Sequence, residues 1–444
     1  MYEERRYKMK YYCIGIKGAG MSTLAQMLYD MGNEVSGYDD AKDYKFTQKG
    51  LEERGIKIFY DSNHSIDKDT VVTASRAFSD EHPEIKRIKE LGLTFKPYNE
   101  VVGEITKEFN TISISGTHGK TTTTSLLKHL FENTIGCNYF IGDGTGHIDM
   151  KNRLLVIESD EFNRHFLAYH PKKVIITCIE LEHTEIYKDI EETIAAFEEF
   201  ANKAKNVIAN GDDLNIRKIN FNNDVIFYGE DESNDYIIKD IKLETTGSTF
   251  TLYKKDELID TFTVPLYGHH MVMNTVASII CALDEGVSKE KIKELLVSFK
   301  NANRRFAETV VGNTIIVDDY AHHPTEIKVT LEAIRQKYPD KKLTVVFRPN
   351  TYSRTSHFKT EFAEALSIAD KVYLTPIKCD RENPNDYPKI KSEDIIELIP
   401  GSELIDDDTV NKVVKDKDGV VAFMGCATVS HLIENFTKAL ENIE

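Results

Sequence analysis

A glycine-rich loop in the first third of the chain constrains its fold more than any other feature. The loop, Ser115–Thr122 (SGTHGKTT), follows the alternating apolar run Thr111–Ile114 and leads into a helical pattern over Thr122–Glu132. A glycine loop between a strand and a helix N-terminus binds phosphates through backbone N–H groups. In such loops a lysine, here Lys120, reaches the outer phosphates, and a hydroxyl, here that of Thr121, is a ligand for Mg²⁺. The sequence therefore predicts a phosphate-binding α/β domain, although the spacing of its glycines departs from the strict P-loop form.

The bulk composition is that of an acidic chain with several globular domains. Its 444 residues exceed one ordinary domain, and 41% apolar residues are enough for several cores. The formal net charge of −17 disfavours binding to nucleic acid or to anionic membranes. No apolar run approaches the ~20 residues of a membrane span, and the six cysteines form no Cys-x-x-Cys pair. We expect a cytoplasmic protein with reduced thiols and small-molecule partners, and both a monomer and a homodimer remain open.

Strand and helix patterns alternate along the chain and fall into three blocks. The first opens with a strand at Tyr11–Ile16, a glycine loop and a helix at Met21–Met31, an order typical of a parallel sheet covered by helices. The second contains an antiparallel meander over Tyr236–Val264. We predict three α/β domains, namely a Rossmann-like domain at 1–107, a central P-loop domain with an antiparallel portion at 108–302, and a C-terminal Rossmann-like domain at 303–444.

A second glycine loop lies near the start of the chain. Gly15–Ser22 (GIKGAGMS) is similar to a dinucleotide fingerprint, and Asp39 falls about twenty residues further on, where an acidic residue can hold a ribose hydroxyl. Alone, this pattern fits a nicotinamide-dependent oxidoreductase, but the nearby phosphate loop argues against that interpretation. A nucleoside diphosphate at the helix N-terminus still fits the pattern.

Two polar residues follow predicted strands of the second block, where parallel sheets build their sites. Glu158 follows the strand Leu154–Ile157, and His183 follows a strand that we predict to end at Ile179. A carboxylate and an imidazole near a triphosphate are candidate Mg²⁺ ligands, although histidine is an uncommon ligand for so hard an ion.

Two segments of the third block concentrate polar chemistry. Asp318–Glu326 (DDYAHHPTE) precedes a helix opened by Pro324. Arg348–Thr355 (RPNTYSRT) carries arginines, which suit bidentate contacts with carboxylates. Taken alone, each segment is more simply interpreted as a solvated loop that caps a helix.

Together these segments resemble the Mur ligase family. The motifs stand in the family's order and approximate spacing from about Tyr11 to about Leu432, and they are Gly18–Ser22, Gly116–Thr122, Arg304–Phe306 and Asp318–Glu326. They are most similar to the motifs of members that join L-alanine to UDP-N-acetylmuramate, in the form found in low-GC Gram-positive bacteria. The resemblance implies a first domain for the UDP substrate, a central domain for ATP and a third domain for the amino acid.

The resemblance also implies roles for individual residues. The UDP part of the substrate would be contacted by Gly18, Ala19, Gly20, Met21, Ser22 and Asp39. ATP would be bound by Gly116, Thr117, His118, Gly119, Lys120, Thr121 and Thr122, by His270 and Asn274 at the adenine, by Arg305 at the γ-phosphate and by Asp319 at the ribose. Thr121 and Glu158 would hold one Mg²⁺ and His183 a second. The amino-acid end would be lined by Tyr320, His322 and Arg354. Catalysis is expected to involve Lys120, His183, Arg305 and His322.

The implied reaction is an ATP-dependent ligation in peptidoglycan precursor synthesis. The carboxylate of UDP-N-acetylmuramate attacks the γ-phosphorus, which gives an acyl phosphate and ADP, and the amine of L-alanine then displaces phosphate. Two Mg²⁺ ions, Lys120 and Arg305 would stabilise the charge on the phosphoryl oxygens. His322 is the candidate base for the amine, and Arg354 the clamp for the amino acid's carboxylate. Water would hydrolyse the acyl phosphate, so we expect the second and third domains to close over it.

Several positions depart from the family pattern. Cys178 and Glu182 stand where an amide and an aspartate are usual ahead of His183, which puts the support of that histidine in question. Met271 stands where asparagine commonly follows the adenine-contacting histidine. The segments 375–382 and 425–428 keep little of the usual pattern, so part of the change falls in the domain that takes the amino acid.

Three alternatives remain beside L-alanine ligation. A ligase of the same class could add glycine, serine or a peptide, although the peptide-recycling relative usually carries a Thr-Phe-Met-Gly-Gly loop where this chain has Gly18–Ser22. A P-loop switch ATPase would need no carboxylate clamp such as Arg354. A non-catalytic remnant would have no reason to keep Lys120, Thr121 and Glu158 together.

Overall fold

A computed structural model describes residues 8–75, 77–302, 304–378, 382–425 and 429–442. The chain forms two compact units. Unit 1 comprises Met1–Glu180, Ile190–Tyr236 and Ala277–Leu295, and unit 2 comprises Leu181–Asp189, Ile237–Val276 and Leu296–Glu444. Among the described residues, no helix combines the length and the apolar character that crossing a membrane requires.

Unit 1 opens with a five-stranded parallel sheet. Its elements are β1 (Lys10–Ile14), α1 (Ala19–Asp30), β2 (Glu34–Tyr38), α2 (Gln48–Glu53), β3 (Lys57–Phe59), β4 (Thr70–Ala74), α3 (Pro83–Glu90), β5 (Thr94–Phe95) and α4 (Tyr98–Lys107). The strand order is β3-β2-β1-β4-β5, and every pairing is parallel. Strand β1 ends at Ile14 rather than at the predicted Ile16 because Gly15, with φ +77°, turns the chain out of the ladder.

A second sheet in unit 1 carries the phosphate loop. Its elements are β6 (Asn110–Ser115), α5 (Lys120–Glu132), β7 (Asn138–Ile141), β8 (Thr145–His147), β9 (Leu154–Glu158), β10 (Lys173–Ile176), α6 (Ile190–Ala201), β11 (Asn206–Asn210) and β12 (Asp224–Gly229), with short 3₁₀ helices at Phe162–Ala168 and Ile216–Lys218. The strands lie in the order β12-β11-β10-β6-β9-β7-β8. Because β10, β6 and β9 are parallel neighbours, their carboxyl ends share one edge. That edge holds the phosphate loop.

Unit 2 contains the predicted meander and a third sheet. The meander is β13 (Tyr236–Glu244), β14 (Gly247–Lys254) and β15 (Glu257–Val264), in which β14 and β15 pair antiparallel. The helices α7 (His269–Asp284) and α8 (Lys289–Val297) come next along the chain. The third-sheet elements are β16 (Ala307–Val311), β17 (Thr314–Asp319), α9 (Pro324–Lys337), β18 (Leu343–Arg348), α10 (Tyr352–His357), α11 (Lys359–Leu366), β19 (Lys371–Leu374), α12 (Glu393–Ile396), β20 (Glu403–Leu404), β21 (Gly419–Gly425) and α13 (Val429–Glu441), with 3₁₀ helices at Pro384–Asp386 and Val410–Asp416.

The third sheet has a buried core on each face. Its order is β16-β17-β21-β18-β19-β20, and only β16, at one edge, pairs antiparallel among the strands described. One face packs Val317, Val345 and Leu331, while the other packs Val421, Phe423 and Phe436. Strands buried on both faces are typical of a doubly wound α/β domain.

The predicted fold class is confirmed, and a second strand end needs correction. The strand ahead of His183 ends at Ile176 and not at Ile179, because the chain then turns toward the phosphate loop, where Thr117 N donates to Cys178 O at 2.9 Å. Cys13, Cys137 and Cys281 are free and buried, as expected. The sequence departures at Cys379–Arg381 and Cys426–Thr428 lie outside the described residues.

Candidate active site

The phosphate loop requires glycine at two positions. Gly119 precedes α5 with φ +83°, and Gly116 has φ +134°. A Cβ on Gly116 would lie 2.1 Å from the hydroxyl oxygen of Thr177, so no larger residue fits there. The loop therefore takes its shape from glycine, and it delivers the chain to the N-terminus of a helix of 13 residues, as predicted.

Lys120 is mostly covered within this loop, with 12% of its side chain exposed, and it remains charged. Its Nζ donates to the carbonyl oxygens of Gly116 at 2.6 Å and Thr117 at 3.1 Å. It also donates to Oε2 of Glu161 at 2.9 Å. Burial alone would lower the pKa of Lys120, but the charges of Glu161 and Asp160 outweigh it and raise the pKa above its ordinary value. No pattern in the sequence singles out Glu161, since acidic residues beyond a strand are common.

Thr121 and Glu158 lie together as the sequence predicts. The Thr121 hydroxyl donates to Oε1 of Glu158 at 3.2 Å, and the other carboxylate oxygen accepts from the backbone N–H of Gly142 at 2.9 Å. Glu158 is the last residue of β9 rather than the residue after it. A hydroxyl and a carboxylate oxygen in contact are the hard donors that Mg²⁺ prefers, so this pair fits the predicted ion.

The segment after β10 supports the phosphate loop from below. The Thr117 hydroxyl accepts from Glu180 N at 2.9 Å, and His118 N donates to Cys178 Sγ at 3.3 Å. Nε2 of His118 lies 3.4 Å from Oε2 of Glu180. The cysteine that replaces the usual amide thus contacts the phosphate loop.

The first glycine loop is braced by its own side chains. Ser22 is fully buried, and its hydroxyl donates to the carbonyl of Thr47 at 2.8 Å, while Met21 is 3% exposed. The carboxylate of Asp39 accepts from the backbone N–H groups of Lys17 at 2.9 Å and Ala41 at 3.0 Å. At the start of α1, Gly18 is exposed and Ala19 and Gly20 are half-buried, whereas the hydroxyl of Ser22 is used inside the fold.

In unit 2, the predicted adenine and ribose residues occupy structured positions. His270 and Asn274 are one helical turn apart on α7, so they share a face. Asp319, the last residue of β17, accepts backbone hydrogen bonds from Phe306 and Ala321, each at 2.8 Å. Burial raises the pKa of this carboxyl.

Arg305 and Tyr320 lie against one another near the start of α9. The Arg305 guanidinium is 5.4 Å from the ring centroid of Tyr320, and its Nη1 is 3.8 Å from Oε1 of Glu326. The neighbours Arg304 and Phe306 have φ of +57° and +55°, unusual values for residues with side chains. Such backbone strain is concentrated at functional sites.

His322 is oriented by two acceptors. Its Nδ1 is 3.0 Å from the carbonyl oxygen of Tyr320 and 3.1 Å from Oε2 of Glu326. Because both partners only accept, Nδ1 carries a hydrogen, and Nε2 is the ring nitrogen that faces Oε1 of Glu182, at 3.6 Å. Glu326 also forms a capping box with His323 at the start of α9. Asp319 and His323 are 5% and 4% exposed, so the interpretation of this segment as a solvated loop is wrong.

Arg354 lies on the short helix α10 and is 9% exposed, so the solvated-loop interpretation of its segment is wrong as well. Its Nη1 donates to Oδ1 of Asn350 at 2.7 Å, and its Nη2 donates to Oε1 of Glu182 at 2.5 Å. Burial would raise the pKa of Glu182, but its hydrogen bond with His322 and the charge of Arg354 hold that pKa well below the usual range. The sequence put the support of His183 by Glu182 in question, and in the structure Glu182 contacts Arg354 and His322.

His183 has the strained backbone of a functional residue. Its φ is +53°, and its Nδ1 lies 3.6 Å from Oε1 of Glu185. A carboxylate beside one ring nitrogen is the arrangement that orients metal-ligating histidines. Imidazole is a softer ligand than Mg²⁺ usually takes, so this residue fits the predicted ion less closely than Thr121 and Glu158 do.

Comparison with known proteins places this geometry in a family. Three family models match consecutive parts of the chain: "Mur ligase family, catalytic domain" at 10–110, "Mur ligase middle domain" at 114–282 and "Mur ligase, glutamate ligase domain" at 304–427. The chain is 42% identical to the UDP-N-acetylmuramate–L-alanine ligase of Ligilactobacillus salivarius over 436 residues, which is 98% of each chain. It is 42% identical to the enzyme of that name from Lacticaseibacillus paracasei over 435 residues, again 98% of each chain.

A solved structure has the same fold over nearly the whole length. The crystal structure of UDP-N-acetylmuramate-alanine ligase MurC from Thermotoga maritima is similar with a TM-score of 0.82 at 23% identity, covering 98% of this chain and 100% of that one. This structural similarity shows the fold, and the sequence identity to the two lactobacillar relatives shows the family. The chain belongs to the Mur ligase family.

Proposed function

We propose that the chain joins L-alanine to the carboxylate of UDP-N-acetylmuramate while ATP is converted to ADP and phosphate, a cytoplasmic step of peptidoglycan precursor synthesis. One observation carries the proposal. The chain combines a phosphate loop around the charged, half-buried Lys120 with a buried arginine, Arg354, beside an oriented histidine, His322. The relatives named above, at 42% identity, bear the name of this activity. The three domains are proposed to span 1–107, 108–302 and 303–444.

In the proposed first step, the phosphate loop holds the triphosphate. The backbone N–H groups of Gly116–Thr122 and the ammonium of Lys120 stabilise charge on the phosphoryl oxygens as the substrate carboxylate attacks. Arg305 adds a second cation at the γ-phosphate, and the remaining ATP contacts are assigned to His270, Asn274 and Asp319. Gly18–Ser22 and Asp39 hold the UDP part of the other substrate.

Mg²⁺ would be held by Thr121 and Glu158, and a second ion by His183. When bound, these ions would neutralise phosphate charge and help to orient the triphosphate. The contact between the Thr121 hydroxyl and the Glu158 carboxylate supports the first assignment. The strained backbone of His183 and its carboxylate neighbour support the second.

In the proposed second step, the amine of L-alanine attacks the acyl carbon and phosphate leaves. Arg354 holds the carboxylate of the amino acid through its guanidinium fork. Nε2 of His322 takes a proton from the amine, which is possible because Nδ1 carries the hydrogen. Tyr320 lines this end of the site beside Arg305.

The test measures phosphate release with ATP, Mg²⁺ and UDP-N-acetylmuramate while each common amino acid is added in turn. We expect release to depend on both the UDP-sugar and L-alanine. Dependence on the UDP-sugar with glycine or serine instead would keep the reaction and change its amino acid. Release with ATP alone, equal in Arg354→Ala, would contradict the proposal in favour of a switch ATPase.

A further inference from the structure

The carboxylate of Glu182 contacts both side chains that are proposed to bind the amino acid, Arg354 and His322. Oε1 of Glu182 accepts the hydrogen bond from Arg354 at 2.5 Å and lies 3.6 Å from Nε2 of His322. Glu182 is 6% exposed, so this contact is shielded from water. A single oxygen therefore meets the arginine and the ring nitrogen that the proposed function gives to the substrate's carboxylate and amine.

The two partners of this contact differ in how firmly they are fixed. Arg354 lies within α10, and its second fork nitrogen is anchored to Asn350, four residues earlier. Glu182 lies between β10 and α6 in a segment that forms neither helix nor strand, and it directly precedes the strained His183. The arginine is thus presented by a regular element, whereas the glutamate is carried by irregular backbone that can rearrange at lower cost.

We propose that Glu182 is a specificity-determining residue that stands in for the substrate at Arg354. Before the amino acid binds, the carboxylate of Glu182 holds the arginine fork and excludes other anions. The amino acid then displaces Glu182, places its own carboxylate on Arg354 and thereby brings its amine, one carbon away, to Nε2 of His322. The proposal rests on the proposed function, since it takes Arg354 as the clamp.

The length of the side chain is central to the proposal. An aspartate side chain at this position would be shorter by one methylene. A shorter carboxylate on the same backbone reaches less far toward the fork, so the glutamate accounts for the contact. An amino acid that must displace an internal carboxylate binds more weakly, by the fraction of molecules in which the arginine is already released. If Arg354 is free of Glu182 in about one molecule in ten, KM for L-alanine is about tenfold higher than it would be without this contact.

The experiment compares Glu182→Asp with Glu182→Gln and the unchanged chain. We expect KM for L-alanine to fall about tenfold in Glu182→Asp while kcat and KM for ATP stay within about twofold. Propionate, which has the carboxylate and lacks the amine, should become a better competitive inhibitor by the same factor, and L-alaninamide should not. An unchanged or higher KM for L-alanine in Glu182→Asp would overturn the proposal. Glu182→Gln keeps the length and removes the charge, so it should shift KM in the same direction.

A matched variant separates this role from support of the neighbouring histidine. Glu185 lies on the same segment, and its Oε1 lies 3.6 Å from Nδ1 of His183. If Glu182 acts only through His183, then Glu182→Asp and Glu185→Gln should both raise the Mg²⁺ requirement, and neither should lower KM for L-alanine. That outcome would overturn the proposal.

Direct binding distinguishes failure of this inference from failure of the proposed function. A fluorinated propionate, titrated into the full chain and followed by fluorine NMR, reports access to the arginine without any turnover. Tighter binding to Glu182→Asp than to the unchanged chain supports displacement of Glu182 from Arg354, even if L-alanine is not the substrate. Equal binding overturns it, whatever the phosphate-release assay gives.

Discussion

Lys120 and Arg354, two of the cations proposed to meet substrate charge, are held in different ways. Lys120 is held by two carbonyls of its own loop and by Glu161, 41 residues further along the chain. Arg354 is held by Asn350 on its own helical turn and by Glu182, which is 172 residues away in sequence. Lys120 therefore retains two hydrogen bonds within its own loop if Glu161 moves away. The Nη2 atom of Arg354, in contrast, is bonded to a segment that is remote in sequence. The site around Lys120 is formed mainly by its own loop, whereas the binding position at Arg354 can be blocked by Glu182 from another part of the chain.

The largest effect is expected at the locally built site. Lys120→Ala should lower kcat for phosphate release by about 10²- to 10³-fold, because a preorganised charge on the phosphoryl oxygens is lost. Lys128→Ala is the matched control, since Lys128 lies on the same helix and pairs with Glu132 at 3.7 Å. Steady-state kinetics should leave Lys128→Ala close to the unchanged chain. Equal losses in both would mean that the helix, and not the ammonium of Lys120, carries the effect.

Removing the arginine should act on a different substrate. Arg354→Ala should raise KM for L-alanine by about 30-fold or more, because one partner of a buried, hydrogen-bonded charge pair is removed. It also leaves Glu182 buried without that cation, which should lower the free energy of unfolding by about 3–5 kcal/mol. Denaturant unfolding of Arg354→Ala and of the double variant Arg354→Ala/Glu182→Gln measures this. The contrast between Lys120 and Arg354 is contradicted if Arg354→Ala raises KM for ATP rather than KM for L-alanine. The pairing of Arg354 with Glu182 is contradicted if Glu182→Gln restores no stability to Arg354→Ala.

Loop shape can be separated from loop chemistry with two glycines of unit 1. Gly116→Ala faces a backbone of φ +134° and a contact of 2.1 Å with Thr177 Oγ1. Gly286→Ala faces a similarly unfavourable φ of +87° but meets no atom within 4 Å. Gly116→Ala should therefore be less stable than Gly286→Ala by about 1–3 kcal/mol, the usual cost of overpacking. Equal midpoints of unfolding would show that the phosphate loop moves away from β10 at little cost.

The smallest effect is expected where the lysine loses only its remote partner. Glu161→Gln should change KM for ATP by about threefold or less, because the two loop carbonyls still hold Lys120 and a neutral acceptor replaces the carboxylate. The same change at Glu182 is expected to shift KM for L-alanine by about tenfold. If Glu161→Gln shifts KM for ATP as strongly, both glutamates act as internal substitutes for substrate, and the contrast between the two sites disappears.

The features that the sequence predicted well depend mainly on residues close together along the chain. The order strand, glycine loop and helix places Lys120 and Thr121 at a phosphate site, and Glu158 reaches them because β6 and β9 are parallel neighbours. The sequence indicated that the segment before α9 caps a helix, but it did not single out His323 as the cap, because histidine is not a usual cap. The signal was nevertheless present, since Pro324 stands at the first helical position and Glu326 at the third.

The pairing of Glu182 with Arg354 could not be predicted in this way. In the sequence, Glu182 reads as a longer aspartate beside His183, and Arg354 as a clamp open to substrate. No local pattern links two residues on either side of a meander, two helices and part of a further sheet. The side-chain length that the sequence recorded as a departure becomes meaningful only when the guanidinium is known to lie within its reach.

The amino-acid sequence by itself determined the fold class and the chemistry of the phosphate loop, because backbone conformation, glycine placement and hydrophobic alternation act over a few residues. Tertiary structure alone decided which carboxylate faces which cation. Glu161 pairs with Lys120, 41 residues away, and Glu182 pairs with Arg354, 172 residues away. Ion pairs over long sequence separations depend on how whole elements pack, and charge by itself selects no partner among 73 acidic residues.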